Sequence, residues 1–272
     1  MFKVPALLLL LTLLPCTPAL SAEYEKVQSL NETIRAANQG VIDAQNTVAM
    51  IYRDGLGVPR DYKAAIKWYR MAAEKGHAEA QYHLGMMFHD GKGIAKDDRE
   101  ALRWFRQAAD QGVAEAQFAL WEVHRRTDGP EARKWLRQAA DQGLAEAQYH
   151  LGIALRDGEA GLEKEPQQAA SWLRKAADQE FAKAQTALAG LLATGQGVEK
   201  NPVEAAVWLN LAISQGDPAA LKKRAQLHKE MTPEQITQAG TLAEQWSPPA
   251  LPRIPASQGT QSTGSPPPQP VP

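Results

Sequence analysis

The chain contains one cysteine, Cys16, in 272 residues. With no second thiol there is no intrachain disulfide framework and no Cys-rich zinc site to build. Runs of β-branched residues are also scarce, while alanine recurs on a helical rhythm, which points away from sheet and towards helix. No charge of one sign dominates: 30 Lys and Arg stand against 31 Asp and Glu, for a formal charge of −1. That balance gives no electrostatic reason to expect nucleic acid or an anionic membrane as partner. There is no HExxH and no acidic loop of the calcium-binding kind, so no metal site and no cofactor are expected.

Only one long apolar run exists. Met1-Phe2-Lys3 leads into Val4 to Leu14, followed by Pro15-Cys16-Thr17-Pro18-Ala19-Leu20-Ser21-Ala22. A basic start, a short apolar stretch and a breaker-rich polar region make the layout of a secretory signal peptide, residues 1–22, too short to span a bilayer comfortably. Cleavage after Ser21 places Ala19 at the minus-three position; cleavage after Ala22 places Leu20 there. Leu13-Leu14-Pro15-Cys16 offers the alternative of a lipid anchor on Cys16, although proline before the cysteine fits that pattern poorly. Removal of the peptide takes Lys3 away, leaving 29 basic against 31 acidic residues, a charge of −2, and no cysteine. A periplasmic or secreted protein is expected, with no membrane-spanning segment in the mature chain.

What the sequence has in quantity is repetition. Ala72-Ala73-Glu74-Lys75-Gly76, Ala108-Ala109-Asp110-Gln111-Gly112 and Ala139-Ala140-Asp141-Gln142-Gly143 are followed by Ala176-Ala177-Asp178-Gln179-Glu180 and by Leu211-Ala212-Ile213-Ser214-Gln215-Gly216. A tryptophan precedes each: Trp68, Trp104, Trp135, Trp172 and Trp208. The closing positions lie 36, 31, 37 and 36 residues apart. Within each unit a first (A) helix is expected near 44–53, 79–89, 115–125, 146–156 and 183–193. Glycine loops follow, such as Asp54-Gly55-Leu56-Gly57-Val58, and a second (B) helix carries the tryptophan and the alanine pair. Neither helix alone can bury its apolar stripe, whereas stacked hairpins can. Gly85, Gly152, Ala49 and Ala189 share a column of close approach, and the tryptophan is expected to fill the hairpin interior. The expected organisation is a capping helix at 23–40, five repeats over 41–216 (41–76, 77–112, 113–143, 144–180, 181–216) and a capping helix pair at 217–246. A proline-rich tail at 247–272, with nine prolines, is expected to be disordered.

Two departures mark the third unit. Leu120 to Trp135 is 15 residues where Leu84 to Trp104 is 20, so the glycine loop is lost, and Trp121 stands in the small-residue column. The change is either drift absorbed by the core or a local groove.

The stretches Ala80-Gln81-Tyr82-His83-Leu84-Gly85-Met86-Met87-Phe88-His89-Asp90-Gly91-Lys92-Gly93-Ile94 and Ala101-Leu102-Arg103-Trp104-Phe105-Arg106-Gln107-Ala108-Ala109-Asp110-Gln111-Gly112 resemble the Sel1-like repeat proteins, relatives of the tetratricopeptide-repeat proteins. The resemblance implies an all-α fold, a right-handed superhelix of stacked antiparallel helix pairs, used for protein–protein interaction in bacterial envelope or host-contact processes. It names no partner.

No catalytic constellation accompanies the repeats. Ser171 and Ser214 lie at ordinary repeat positions with no histidine brought to them, and His83 and His150 share one column on different units rather than forming a metal pair. The weakly supported alternative is a hydrolase acting on a cell-wall or β-lactam-like substrate, an activity associated with some relatives but without a serine motif here. Glu122 or His124 beside Trp121 would be its place. The favoured function is a non-catalytic scaffold or adaptor that binds an unidentified protein, expected to be monomeric. By helical spacing its recognition stripe runs along the A helices through Tyr82, Met86, His89, Phe118, Arg125, Tyr149, Ile153 and Arg156. Aromatic, apolar and arginine side chains are the types that dominate interfaces; the plainer reading is that the aromatics cover the hairpin core.

Overall fold

The structure, a computed structural model, describes residues 18–125 and 129–247, with side chains from residue 28 onward. Among these residues there are α-helices and short 3-10 turns but no strand. The helices are α1 (Pro18–Asn38), α2 (Ile42–Asp54), α3 (Tyr62–Ala73), α4 (Ala78–Asp90), α5 (Asp98–Asp110), α6 (Ala114–His124), α7 (Pro130–Asp141), α8 (Ala145–Asp157), α9 (Pro166–Asp178), α10 (Ala182–Thr194), α11 (Pro202–Ser214), α12 (Pro218–Leu227) and α13 (Pro233–Gln245). The chain forms two compact units, one ending at Trp172 and one beginning at Leu173. In each, consecutive helices pack as pairs, α2 on α3, α4 on α5 and α6 on α7 in the first, α10 on α11 in the second.

Local chemistry sets the helix ends. The Asp61 and Asp97 carboxylates accept the first free amides of α3 and α5, and Thr232 closes a capping box with Gln235 at the start of α13. At the other end Gly55, with φ of 75°, takes the left-handed turn that sends the chain from α2 towards α3. Helix α1 begins at Pro18, so both expected cleavage points fall within its first turns. The tail beyond Ser247, the apolar run at 4–14 and Arg126–Asp128 of the shortened connection lie outside the described residues.

The main apolar core of the first unit runs from Ala49 to Trp172, and a smaller cluster of Ala37, Ala44 and Val48 joins α1 to α2. Gly85 shows why the small-residue column exists: a Cβ there would stand 2.7 Å from the Phe105 ring. In the third unit Leu136 occupies the place of Phe105, and the bulky member is Trp121, itself buried. The tryptophans do not simply fill hairpin interiors. Trp104, Trp135, Trp172 and Trp208 are buried, yet three carry a cation on the ring. The Arg106 guanidinium of α5 lies 5.5 Å from the Trp135 centroid in α7, and Arg137 of α7 lies 5.4 Å from that of Trp172 in α9. These rings therefore seal the seam between successive B helices, roofed by an arginine from the preceding one.

A second ladder was not anticipated. Buried glutamines at one column, Gln45, Gln81, Gln117, Gln148 and Gln185, each donate Nε2–H to the carbonyl eight residues earlier, on Ala37, Ala73, Ala109, Ala140 and Ala177. Each bond ties an A helix to the carboxyl end of the helix before it, where carbonyls have no intrahelical donor. Gln111 and Gln142 then donate to the Oε1 of Gln81 and Gln117 at 2.7 and 2.8 Å. The first repeat has Lys75 where the others have glutamine; its Nζ donates to Gly40 O instead, and Gln45 Oε1 is left without a partner.

Candidate recognition surface on the A helices

In the first unit, α2, α4, α6 and α8 are the A helices. Their outer faces line two open grooves.

The first groove, about 410 Å³, is lined by Arg53, Asp54, Arg60, Tyr62, Tyr82, His83, Met86, Met87, Asp90 and Lys92. Arg53 grips its neighbour Asp54 with two hydrogen bonds of 2.7 Å, from Nε and Nη2, and its Nη1 reaches His83 Nδ1 at 3.1 Å. Because a guanidinium only donates, His83 Nδ1 accepts, which fixes the imidazole as the neutral tautomer protonated at Nε2. Burial, and then the charge of Arg53, push the His83 pKa down to about 4. Asp54 is held below the usual carboxylate range chiefly by its bonds to Arg53. Tyr69 lies beneath, ring centroid 5.3 Å from His83, and its buried hydroxyl has no hydrogen-bond partner. Burial raises the Tyr82 phenol as well, so this face presents neutral aromatics between fixed charges.

The second groove, about 360 Å³, lies where the third unit departs from the others; Trp121, Arg125, His150, Ile153, Ala154, Glu159 and Ala160 line it. The Trp121 ring stacks on His150 of the next A helix at 4.7 Å, and Phe118 lies 5.1 Å from Trp121 and 5.7 Å from His150. Arg125 reaches over Trp121 at 5.9 Å from the centroid.

The eight stripe residues do not share one fate. Tyr82, Met86, His89, Tyr149, Ile153 and Arg156 are partly exposed and Arg125 is exposed, but Phe118, at 8% exposure, is packed into the aromatic stack. Tyr82 and Met86 join the first groove, Arg125 and Ile153 the second. His89 turns to Asp98 at 3.1 Å, and Arg156 is paired with Asp157 through bonds of 2.7 and 2.6 Å. Arg53, Arg60, Lys92 and His150 belong to these grooves although the stripe omitted them. For Arg53 and His150 the signal in the sequence was the recurrence of Arg-Asp-Gly at 53–55 and 156–158 and of Tyr-His at 82–83 and 149–150; Arg60 and Lys92 carried none. Glu122 and His124 are exposed and line neither groove. Among the described residues no three His, Cys, Asp or Glu side chains converge as a metal site would require, and no helix is long and apolar enough to cross a membrane.

Stacked helix pairs of about 36 residues, with an apolar core and side-chain grooves on one helix of each pair, define a helical repeat protein of the solenoid class. The Sel1 repeat model matches residues 42–77, 78–113, 125–144, 145–181 and 182–217, and the chain belongs to the Sel1 repeat family. It is similar to a solved protective antigen present in uropathogenic Escherichia coli strains that displays an SLR fold. The two share 34% identity at a TM-score of 0.74, over 80% of this chain and 48% of the antigen. A Sel1 repeat protein from Oxalobacter formigenes is 32% identical at a TM-score of 0.68, over 73% of this chain and 59% of that one. The chain thus spans about half the length of the first relative and under two thirds of the second. A search of curated proteins finds no significant match. Sel1 repeat proteins generally mediate protein–protein interaction.

Proposed function

We propose that this chain is a non-catalytic protein-binding scaffold or adaptor, working in the periplasm or in the secreted fraction, and that its recognition surface is the A-helix face of the first unit. One observation carries the reading: successive A helices bring aromatic, apolar and arginine side chains to two grooves while the positions behind them are closed by core packing. Rigid aromatics with a few oriented charges bind a polypeptide with little ordering cost. Segments 23–40 and 217–246 are read as caps that cover the ends of the repeat array. The signal-peptide layout of residues 1–22 supports the location.

The test is affinity capture from envelope extracts with the wild-type chain and with a Tyr149→Ala/Ile153→Ala/Arg125→Ala variant. All three positions are at least partly exposed; Phe118 is left in place because truncating it would report on the core. A partner enriched by the wild type and lost by the folded variant supports the face, each truncation costing about 1–2 kcal/mol of binding where it is a hot spot. Binding retained by the folded variant rejects this face. Turnover of a substrate abolished at Glu122 or His124 would reject the non-catalytic reading itself.

A further inference from the structure

The second unit carries a groove that the recognition surface does not use. Its volume is about 640 Å³, and Arg174, Asp178, Asn201, Val203, Glu204, Val207, Trp208, Gln238, Leu242 and Trp246 line it. Gln238, Leu242 and Trp246 are spaced four apart, so they form one stripe along α13 and its end, about 12 Å long. Leu242 is 43% exposed although it lines the groove with two tryptophans and two valines. The Trp246 ring meets Trp208 edge to face at 5.8 Å, while Trp208 Nε1–H is fixed by Glu204 at 3.3 Å. The two rings meet at an angle, and both line the groove.

Two properties of this groove specify its ligand. A trough walled by tryptophan and branched aliphatics is the surface that grips polyproline helices, whose exposed rings and fixed φ angles make docking cheap in entropy. Its charged side chains are Asp178, Glu204 and Arg174, and the 2.7 Å Arg174–Glu204 pair leaves one negative charge in excess. Burial raises the Asp178 pKa, the charge of Arg174 lowers it and that of Glu204 raises it, so an added cation would be welcome there.

The chain itself supplies such a ligand at the groove's edge. Trp246, which caps the carboxyl end of α13, has φ −66° and ψ 134°, the polyproline II region, and Pro248-Pro249-Ala250-Leu251-Pro252-Arg253-Ile254-Pro255 follows after Ser247. Half of the chain's 18 prolines lie beyond Trp246, and Arg253 is the only ionisable side chain there. Eight residues at about 3.1 Å each reach roughly 25 Å, enough to turn back and run the length of the stripe. Tethering at Ser247 makes the encounter intramolecular, at an effective concentration in the millimolar range.

We propose that this groove is a polyproline-binding site occupied by the chain's own segment Pro248–Pro255, with Arg253 set against the Asp178–Glu204 side.

The test compares the full chain with one ended at Ser247, following the indole N–H signals by NMR with Trp246 assigned through Trp246→Phe. Docking predicts that the Trp246 and Trp208 signals differ between the two, and that the synthetic peptide PPALPRIP added to the shortened chain moves them back towards their full-chain positions. Arg253→Glu in the peptide should weaken this binding by about two- to fivefold at low salt. Leu242→Asp, checked for native helix content, should abolish it. Indole signals unaffected by removing residues 248–272 would overturn the proposal. So would a difference that appears only as protein concentration rises and dimer forms, because the tail would then be seated on a second copy.

Discussion

Gly85 is more tightly constrained than the helical glycines Gly190 and Gly240. An alanine there gains about 1 kcal/mol of helix propensity but drives its methyl to 2.7 Å from two ring carbons of Phe105, an overpacking worth roughly 1–3 kcal/mol. Gly85→Ala is expected to lower stability by about 1 kcal/mol in urea denaturation. If the ring is the cause, adding it to Phe105→Leu should cost nothing further, since the third repeat already has leucine at that place. Glu180 shows the opposite mismatch. It holds φ of 62° at a turn where the equivalent positions are Gly76, Gly112, Gly143 and Gly216. Glu180→Gly should therefore stabilise by about 0.5–1 kcal/mol, read as a raised denaturation midpoint. His83 makes stability depend on pH. Its folded pKa of about 4 lies below the ordinary 6.5, so between these values the unfolded chain binds more protons. The stability held by neutral His83 is whole above about pH 6.5 and is lost as pH falls from there towards 4. NMR titration of the imidazole should give a midpoint near 4, and His83→Gln should remove that part of the acid sensitivity.

At the scale of the element, the glutamine column joins each A helix to the helix before it, and its members differ in how fully they are bonded. Gln117 donates to Ala109 O at 3.2 Å and accepts from Gln142 at 2.8 Å. Gln117→Leu breaks both, leaving Gln142 Nε2 without its acceptor and Ala109 O with Gly112 N–H alone, a loss of about 2 kcal/mol. Gln45 makes the first bond only and already buries an unpaired Oε1, so Gln45→Leu should cost about 1 kcal/mol. Equal losses from the two variants in chemical denaturation would show that the Gln–Gln rungs contribute nothing. The arginine-roofed tryptophans act at the same scale: they close seams between B helices that backbone bonding leaves open.

At the scale of the whole molecule, one prediction concerns where the working chain begins. If residues 1–22 direct export, N-terminal sequencing from a secreting host should find Ala22 or Glu23 first. Loss of the residues before that point trims the first turns of α1 and leaves the helix that leads into the repeats. A soluble cytoplasmic species that keeps Met1 would contradict export, and an acylated Cys16 would place the protein on a membrane by its lipid.

The sequence alone determined the repeat, the alternation of A and B helices and most of their ends to within two residues, as in α13 at Pro233–Gln245. Capping side chains, turn glycines and apolar spacing are local signals, and a repeated unit states them more than once. It also pointed to the disturbed third unit, because a missing loop and a tryptophan in a small-residue column are countable. Only the tertiary structure decided which stripe residues face outward. Tyr82, Phe118 and Tyr149 share one column, yet Phe118 is buried because Trp121 and His150 close over it. The structure likewise disclosed the Gln–carbonyl ties, the neutral His83 held by Arg53, and the groove beside Trp246. Each depends on side chains from different helices meeting across a packed seam, and helical period carries no information about which neighbour will be there.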